Sequence, residues 1–522
     1  MEVKTGHKVE QGHVGNVLVL ETLGLEAQMK KNLGPFAILC VGFNICNSWV
    51  GLAATMVIGM EQGGSVTVVH GMLVVLFFMC CSALTMAELA SVYPTAGGPY
   101  HWTSILAPNY SNRVMSYIAA CFNIFGWLSI TSGVVVQPGQ FIQAVRIFFN
   151  PEVNVPAWQY FLFFQAANIL VLLHNAILQH RTPWVHDIGL VTVMLDSGRH
   201  ELIRVSVMLS ITSFVVIIVT CLSRTTSFNS SEFVWTTFIN NTGWKSSAVV
   251  FLTGMANPNF MFAGIDGAVH LAEEVSDAAK FVPRALMSTI VIGFITAFGF
   301  SLSMLYSLTD FDKVLQGLTG VPIYEIWYQA TRSQAAATVF IFVLLSIAFF
   351  SLNAVVESSS RLTWAFARDN ALLGSKLIGQ VHPLLQVPIW ALLANATVIF
   401  IIGCIYLGSS TAFNAFINSG LLLQQCSFAI PAALLMWHGR SDRVLPESRA
   451  FNLGLFGWFA NAATVLFAPL ITIMYCFPVS MPVTPSGMNY TAAVVGVMGL
   501  FSMANWFLYA REHYRGPRLP SM

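Results

Sequence analysis

Asp266 and His270 stand four residues apart in Phe260-Met-Phe-Ala-Gly-Ile-Asp-Gly-Ala-Val-His-Leu-Ala-Glu-Glu274, a stretch that follows an apolar run. Four residues is about one helical turn, so the acid and the imidazole share a face. An acid at membrane depth costs about 2.5–3.5 kcal/mol on insertion scales, and such a residue usually serves function. The backbone around it is built to open. Pro258, followed by Asn259, removes a backbone donor, and Gly264 and Gly267 ease the chain out of the helix. An opened backbone persists in lipid only where protein or a water-filled cavity satisfies it. The stretch therefore predicts a broken helix lining a solute site. Asp266 has two readings. One is an N-cap for the second half-helix; the other is a counter-charge for an ammonium group, or a proton carrier. His270 either shares a proton with Asp266 or is a hydrogen-bonded structural residue.

A second interruption lies in Gly34-Pro-Phe-Ala-Ile-Leu-Cys-Val-Gly-Phe-Asn-Ile-Cys-Asn-Ser-Trp-Val-Gly51, where Asn44, Asn47, Ser48 and Gly51 break an apolar run at mid-membrane. Amide groups at the start of the outer half-helix favour a carboxylate; a kink packed by small residues is the alternative. Trp49, Phe260 and Phe262 flank the two breaks. Aromatic faces bind ammonium groups at about 0.5–2 kcal/mol each, although most rings among 40 Phe face lipid or core. Asn44, Asn47, Ser48, Trp49, Gly51, Phe260, Phe262, Gly264 and Asp266 thus form the candidate substrate set, and Asp266 and His270 the candidate proton-coupling pair.

The elements that position these residues must be membrane helices. Charged residues make up 9% of the 522 and hydrophobic residues 56%, too few charges to clothe a soluble surface. The net charge of +1 gives no argument for nucleic acid. The nine cysteines fall in apolar segments without metal-ligand spacing, so neither a metal site nor a cofactor is expected. No short apolar core precedes a small-residue cleavage site, so no cleaved signal is expected.

A span needs about 20 apolar residues. The uncharged runs 32–60, 62–87, 114–145, 153–180, 205–223, 246–265, 285–309 and 333–356 fit one span each. Runs 377–439 and 450–510 hold two each, turning near Gly408-Ser-Ser410 and Pro478–Pro485. Twelve spans result, with 89–112 assigned to a loop. If the amino terminus is cytosolic, only Arg146, Arg224, Lys245, Lys313 and Arg332 of the 24 Lys and Arg fall outside. This is the bias of the positive-inside rule. The division is a cytosolic tail 1–33, a membrane domain 34–510 and a cytosolic tail 511–522. Asn229-Ser-Ser231 and Asn240-Asn-Thr242 are glycosylation acceptors in an outer loop. The same pattern recurs at Asn109 and Asn395, on the inner side and inside a span. The two interruptions lie five spans apart at comparable depth, which points to inverted repeats around a midplane site.

Three motifs carry a resemblance. Glu88-Leu-Ala-Ser-Val-Tyr-Pro-Thr-Ala-Gly-Gly-Pro-Tyr-His-Trp102 resembles the first inner loop of the amino acid–polyamine–organocation (APC) superfamily. Gly264–Glu274 resembles the sixth-helix motif of its amino acid/choline transporter branch, and Arg361–Asn370 the loop after its eighth helix. The segment Phe228–Trp244 is similar to fungal choline and gamma-aminobutyrate permeases. The resemblance covers roughly 32–510 and implies an all-α, LeuT-type 5+5 inverted repeat with two further carboxyl-terminal helices. It also implies proton symport; span 5 carries Ser206, Ser210, Thr212 and Ser213 but no lysine. Tyr93, Gly97 and Gly98 suit a bent loop at a cytosolic gate, with simple turn chemistry as the alternative. Glu357 and Arg361 suit a gate ion pair or ordinary interfacial charge. Leu190–Arg204 departs from the family, which usually joins spans 4 and 5 by a short loop; it reads as extra sequence, either a genuine loop or a retained intron, and as dispensable.

The expected function is a secondary active permease for a small amino compound, an amino acid such as gamma-aminobutyrate or choline, working by alternating access with a coupling proton. Its partners are that solute, the proton and the lipid bilayer, at the plasma membrane or, as the alternative, the vacuolar membrane. A non-transporting nutrient sensor of the same fold is the second reading, against which the short tails argue. A channel should show a continuous polar stripe or charged rings, and a hydrolytic triad or P-loop would mark an enzyme; neither is in the sequence.

Overall fold

The computed structural model describes Met29, Lys31 and residues 33–178, 199–317, 319–485 and 487–517, with the backbone alone for 199–204. Among the described residues, eleven helices are long and apolar enough to cross a membrane. The twelfth expected crossing is the broken stretch, which supplies Ser247–Gly254, Ala256–Phe260 and Gly267–His270, each too short to span. The remaining crossings, in chain order, are span 1 (Pro35–Ala54), span 2 (Gly64–Val92), span 3 (Asn112–Phe149), span 4 (Ala157–Ile177), span 5 (Val205–Arg224), span 7 (Ala278–Ser307), span 8 (Gln334–Arg368), span 9 (Ile389–Gly408), span 10 (Ser410–Trp437), span 11 (Phe456–Met474) and span 12 (Thr491–His513).

Long apolar runs become helices in lipid because a helix satisfies its own backbone. Their starts are fixed locally. Ser246, Ser333 and Ser409 each accept a bond from the backbone N–H three residues on, capping spans 6, 8 and 10. Spans 9 and 10 turn at Ser409, where Gly408-Ser-Ser410 predicts it. Segment 89–112 is not a simple loop. The helix of span 2 runs on to Val92, and Pro99–Leu106 forms a second helix. Pro99 pre-sets that helix's first turn, and Tyr100 and Trp102 are buried against the bundle. The charge-based reading saw turn residues there and missed the burial that overrides them.

The chain pairs spans five apart: 1 with 6, 2 with 7, 3 with 8 and 4 with 9 all pack against one another. This is the inverted-repeat architecture of a LeuT-type fold. The lead into span 1 also meets the exit of span 6. Leu33 bridges Val275 in parallel, with Leu33 N–H donating to Glu274 O and Ser276 N–H to Leu33 O. Spans 11 and 12 pack outside this set, span 11 on spans 2 and 10 and span 12 on spans 10 and 3. At the other end, Gln62–Gly63 and Ile239–Asn240 form a two-stranded antiparallel patch.

Of the segment 190–204, residues 190–198 lie outside the described residues. Arg199–Arg204 is helix, the start of Arg199–Arg224. The loop reading of these six residues is therefore corrected: their charges do not stop the helix from extending span 5 beyond its apolar run.

Candidate functional site between the two broken spans

Span 1 breaks at Asn47, which sits at φ 31° and ψ 60° between helices Pro35–Cys46 and Ser48–Ala54. Asparagine tolerates this left-handed conformation better than most side chains. Three neighbouring spans hold the break. Ser210 donates to Asn47 Oδ1 (3.0 Å) and Asn47 Nδ2 to Ser351 (3.4 Å), tying it to spans 5 and 8. Ser206 donates to Asn44 Oδ1 (2.9 Å), and Ser48 to the carbonyl of Met261 (2.6 Å). The last bond caps an open carbonyl of span 6 with a side chain of span 1. Span 6 unwinds over Met261–Asp266, and Gly264 takes φ +80°. A Cβ there would meet Ile45 at 2.8 Å and Trp127 at 3.2 Å, so both the conformation and the packing demand glycine. The two breaks nearly touch at Gly51, where a Cβ would lie 3.2 Å from Phe260 O.

A cavity of about 450 Å³ opens beside the breaks, a volume suited to a small solute. Its floor includes Ile45, Cys46, Gly51, Phe260 and Ala263. It reaches exposed residues such as Gly320 and Val479 at the end that carries 225–246, 308–333 and 475–490. That end is open. Of the expected substrate set, Gly51 and Phe260 line the cavity. Asn44, Asn47, Ser48, Trp49, Phe262, Gly264 and Asp266 are buried behind its lining. Trp49 turns away: its indole N–H donates to Ser210 (3.0 Å) and its ring packs on Phe214 and Phe300.

Asp266 is buried among side-chain partners. It holds the N-cap position of Gly267–His270 yet makes no side-chain cap bond. Nor does it face the cavity, since its side chain is fully buried. Instead Oδ2 accepts from Asn123 Nδ2 (2.9 Å) and Trp127 Nε1 (3.3 Å), and Oδ1 from Gln424 Nε2 (2.8 Å). His270 Nε2 lies 3.0 Å from Oδ2. The imidazole's other nitrogen, Nδ1, is 2.8 Å from the carbonyl of Ala96. A carbonyl oxygen only accepts, so the imidazole donates from Nδ1 to Ala96 and turns Nε2 to the carboxylate.

Beyond His270 the bundle is shut, at the end carrying 93–111, 271–277, 369–388 and 438–455. Arg361 is 1% exposed and joins Glu274 (2.8 Å) and Glu357 (3.4 Å). Arg368 grips Glu273 with two nitrogens, at 2.8 and 3.0 Å. Glu273 Oε1 also accepts the N–H of Ala96 (3.2 Å). The exit of span 6 thus holds the Ala96 peptide from both sides, His270 at its carbonyl and Glu273 at its nitrogen. Gly98 follows at φ +53°, where a Cβ would meet Val269 at 3.0 Å. A Cβ at Gly97 would fall 2.4 Å from the ring of His101. Tyr93 donates to Val444 O (2.9 Å), and Tyr100 and His101 converge on Asp369 at 2.9 and 3.1 Å. The Glu357–Arg361 pair expected from sequence is present, but Glu274 is Arg361's nearer partner.

Asn229 and Asn240 lie at the open end. Asn240 is exposed, and its amide nitrogen donates to Trp244 O (2.7 Å). The Asn229 amide donates to the carbonyls of Leu305 and Leu308.

The sequence reading missed Asn123, Trp127 and Gln424 around Asp266, Glu273 and Arg368 at the closed end, and Glu61 in the cavity. A signal existed for two of them: Asn123 and Gln424 are polar residues inside apolar runs, which is itself a functional pointer.

Comparison with known proteins agrees with this architecture. A family model described as amino acid permease matches residues 33–500. The chain belongs to that family, within the APC superfamily, and is thus a membrane transport protein rather than an enzyme. It is 32% identical over 493 residues to a choline transporter of Saccharomyces cerevisiae, covering 94% of this chain and 83% of that one. It is 28% identical to an amino-acid permease of Arabidopsis thaliana, covering 95% of each chain. A solved manganese transporter of Eremococcus coleocola shares the fold, with TM-score 0.54 at 12% identity over 97% of this chain and 96% of that one.

Proposed function

We propose that this chain is a proton-coupled secondary transporter of a small ammonium-bearing solute, choline or an amino acid such as gamma-aminobutyrate, and that it stands here in its outward-open state. The observation that carries the reading is the cavity beside the two breaks, open at one end and closed at the other by buried ion pairs. Such an arrangement suits alternating access: the solute enters from the open end, the ion pairs at the far end part, and the bundle rocks about the site. The two states must lie within a few kcal/mol of each other for turnover.

In this reading the closed end is cytosolic, because the basic residues concentrate there, and the membrane is the plasma membrane. The Asp266–His270 pair is the coupling element. It is neutral while it holds its proton, and losing that proton leaves a buried, uncompensated charge. Such a charge is costly and is relieved by moving the element that carries it. His270 also donates to Ala96 of the closed-end loop, so any shift of the imidazole that follows proton loss would be carried to that loop.

Labelled uptake in a permease-deficient host tests the reading. A panel of choline, gamma-aminobutyrate and other amino acids would be measured with and without a proton gradient. Accumulation of one class that collapses with a protonophore is expected. Binding without accumulation of any member would favour the sensor instead.

A further inference from the structure

Glu61 ends the helix Met56–Glu61 just beyond span 1 and lines the cavity. Every other residue of the cavity lining is uncharged at neutral pH. Among the described residues no hydrogen bond or ion pair reaches its carboxylate, although the side chain is partly buried. The backbone carbonyl is engaged, accepting from Asn241 N–H, and that fixes the residue in place. A half-buried acid without a partner gains nothing for the fold; burial alone pushes its carboxyl above the usual range.

Two further observations point to a ligand. Gln62, also lining the cavity, is 3% exposed, and its buried Oε1 has no hydrogen-bond partner among the described residues. An unused buried acceptor is rare in a finished structure, and an acceptor is what a cationic or hydroxyl-bearing solute needs. The same cavity carries the rings of Phe141, Phe260, Tyr475 and Phe477. Rings attract cations through their faces. One carboxylate, a free carbonyl oxygen and four rings, with no Lys, Arg or His, make an environment for positive charge.

We propose that Glu61 is the specificity-determining residue of this cavity and selects organic cations, quaternary or primary ammonium compounds without a carboxylate, over zwitterionic amino acids. This rests on the reading of the cavity as the solute site. A zwitterion would bring its carboxylate into a cavity whose only formal charge is already negative. A monocation leaves the site neutral.

The test compares choline with 3,3-dimethylbutan-1-ol, its uncharged isostere, and with gamma-aminobutyrate. Binding to the purified full-length protein is measured calorimetrically, and uptake separately. Wild type should bind choline at least about tenfold tighter than either, because a charged hydrogen-bond or ion partner is worth about that much. In Glu61→Gln the choline preference should fall to within about threefold of the isostere, with the thermal midpoint unchanged or raised, since no internal partner is lost. Glu61→Asp keeps the charge and should retain most of the preference. An unaltered choline-to-isostere ratio in Glu61→Gln overturns the proposal, as does wild type that binds gamma-aminobutyrate as tightly as choline. Charge-selective binding without uptake would sink the transport reading and leave the subsite standing; uptake with an unaltered ratio would do the reverse.

Discussion

Asp266 receives hydrogen bonds on both oxygens, and an amide cannot copy that. In Asp266→Asn one position becomes a donor and must face either Gln424 or Asn123 and Trp127, all three of which donate there. Removing one partner of a buried charged pair costs about 3–5 kcal/mol. Initial-rate uptake should therefore fall at least about tenfold and lose its dependence on external pH, at matched surface expression. Asn at wild-type rate with an unchanged pH profile would leave the proton pair idle. Gly264→Ala tests the opened backbone. A left-handed alanine costs about 1–2 kcal/mol, and its Cβ would press on Ile45 and Trp127, so the thermal midpoint of the purified protein should drop. The acid and the glycines were legible in the sequence because they stand out in an apolar run. Their surroundings were not: Asn123 and Gln424 lie 143 and 158 positions away, and no local pattern says which polar residues meet.

At the scale of elements, the two breaks were legible as interruptions of hydrophobic runs, and span 6 fails to form a continuous helix as expected. Which face of each break meets the cavity was not legible. That depends on the rotation of short helices, which packing sets: Trp49 flanks the break in sequence yet turns toward Phe214 and Phe300. Span 5 supplies the serines that hold the first break, and its helix begins at Arg199. Deleting Leu190–Gly198 should therefore preserve uptake, while deleting through Arg204 should weaken it by removing more than a turn of helix before Ser206. Equal activity of the two deletions would show that those turns are dispensable. The closed end is tested at Arg361. Arg361→Ala leaves Glu274 and Glu357 without their shared cation, and like charges buried together repel. A cysteine placed at buried Ser358 should then react faster with a maleimide than the same cysteine beside intact Arg361. Equal rates would mean that the ion pairs do not hold the closed end shut.

For the molecule as a whole, the composition made membrane residence legible, and the five-span offset between two interruptions made the repeat legible, because both are properties of long stretches that tertiary context does not reverse. The state of the transport cycle was not legible, since one sequence must code for all states. The orientation proposed from charge placement has a direct test: tags on both tails should label only after permeabilisation, and glycosidase treatment should shift mobility through the exposed Asn240. A tail tag labelled on intact cells would overturn the topology. The proposed coupling of an ammonium-bearing solute to a proton held at Asp266 and His270 is best measured in proteoliposomes of purified protein under an imposed pH gradient, acid on the side of the open end, with labelled choline and gamma-aminobutyrate. The wild type should accumulate solute above the external concentration, an accumulation abolished by a protonophore and absent in Asp266→Asn. Saturable binding with no accumulation by the wild type, or accumulation indifferent to the gradient, would contradict that coupling.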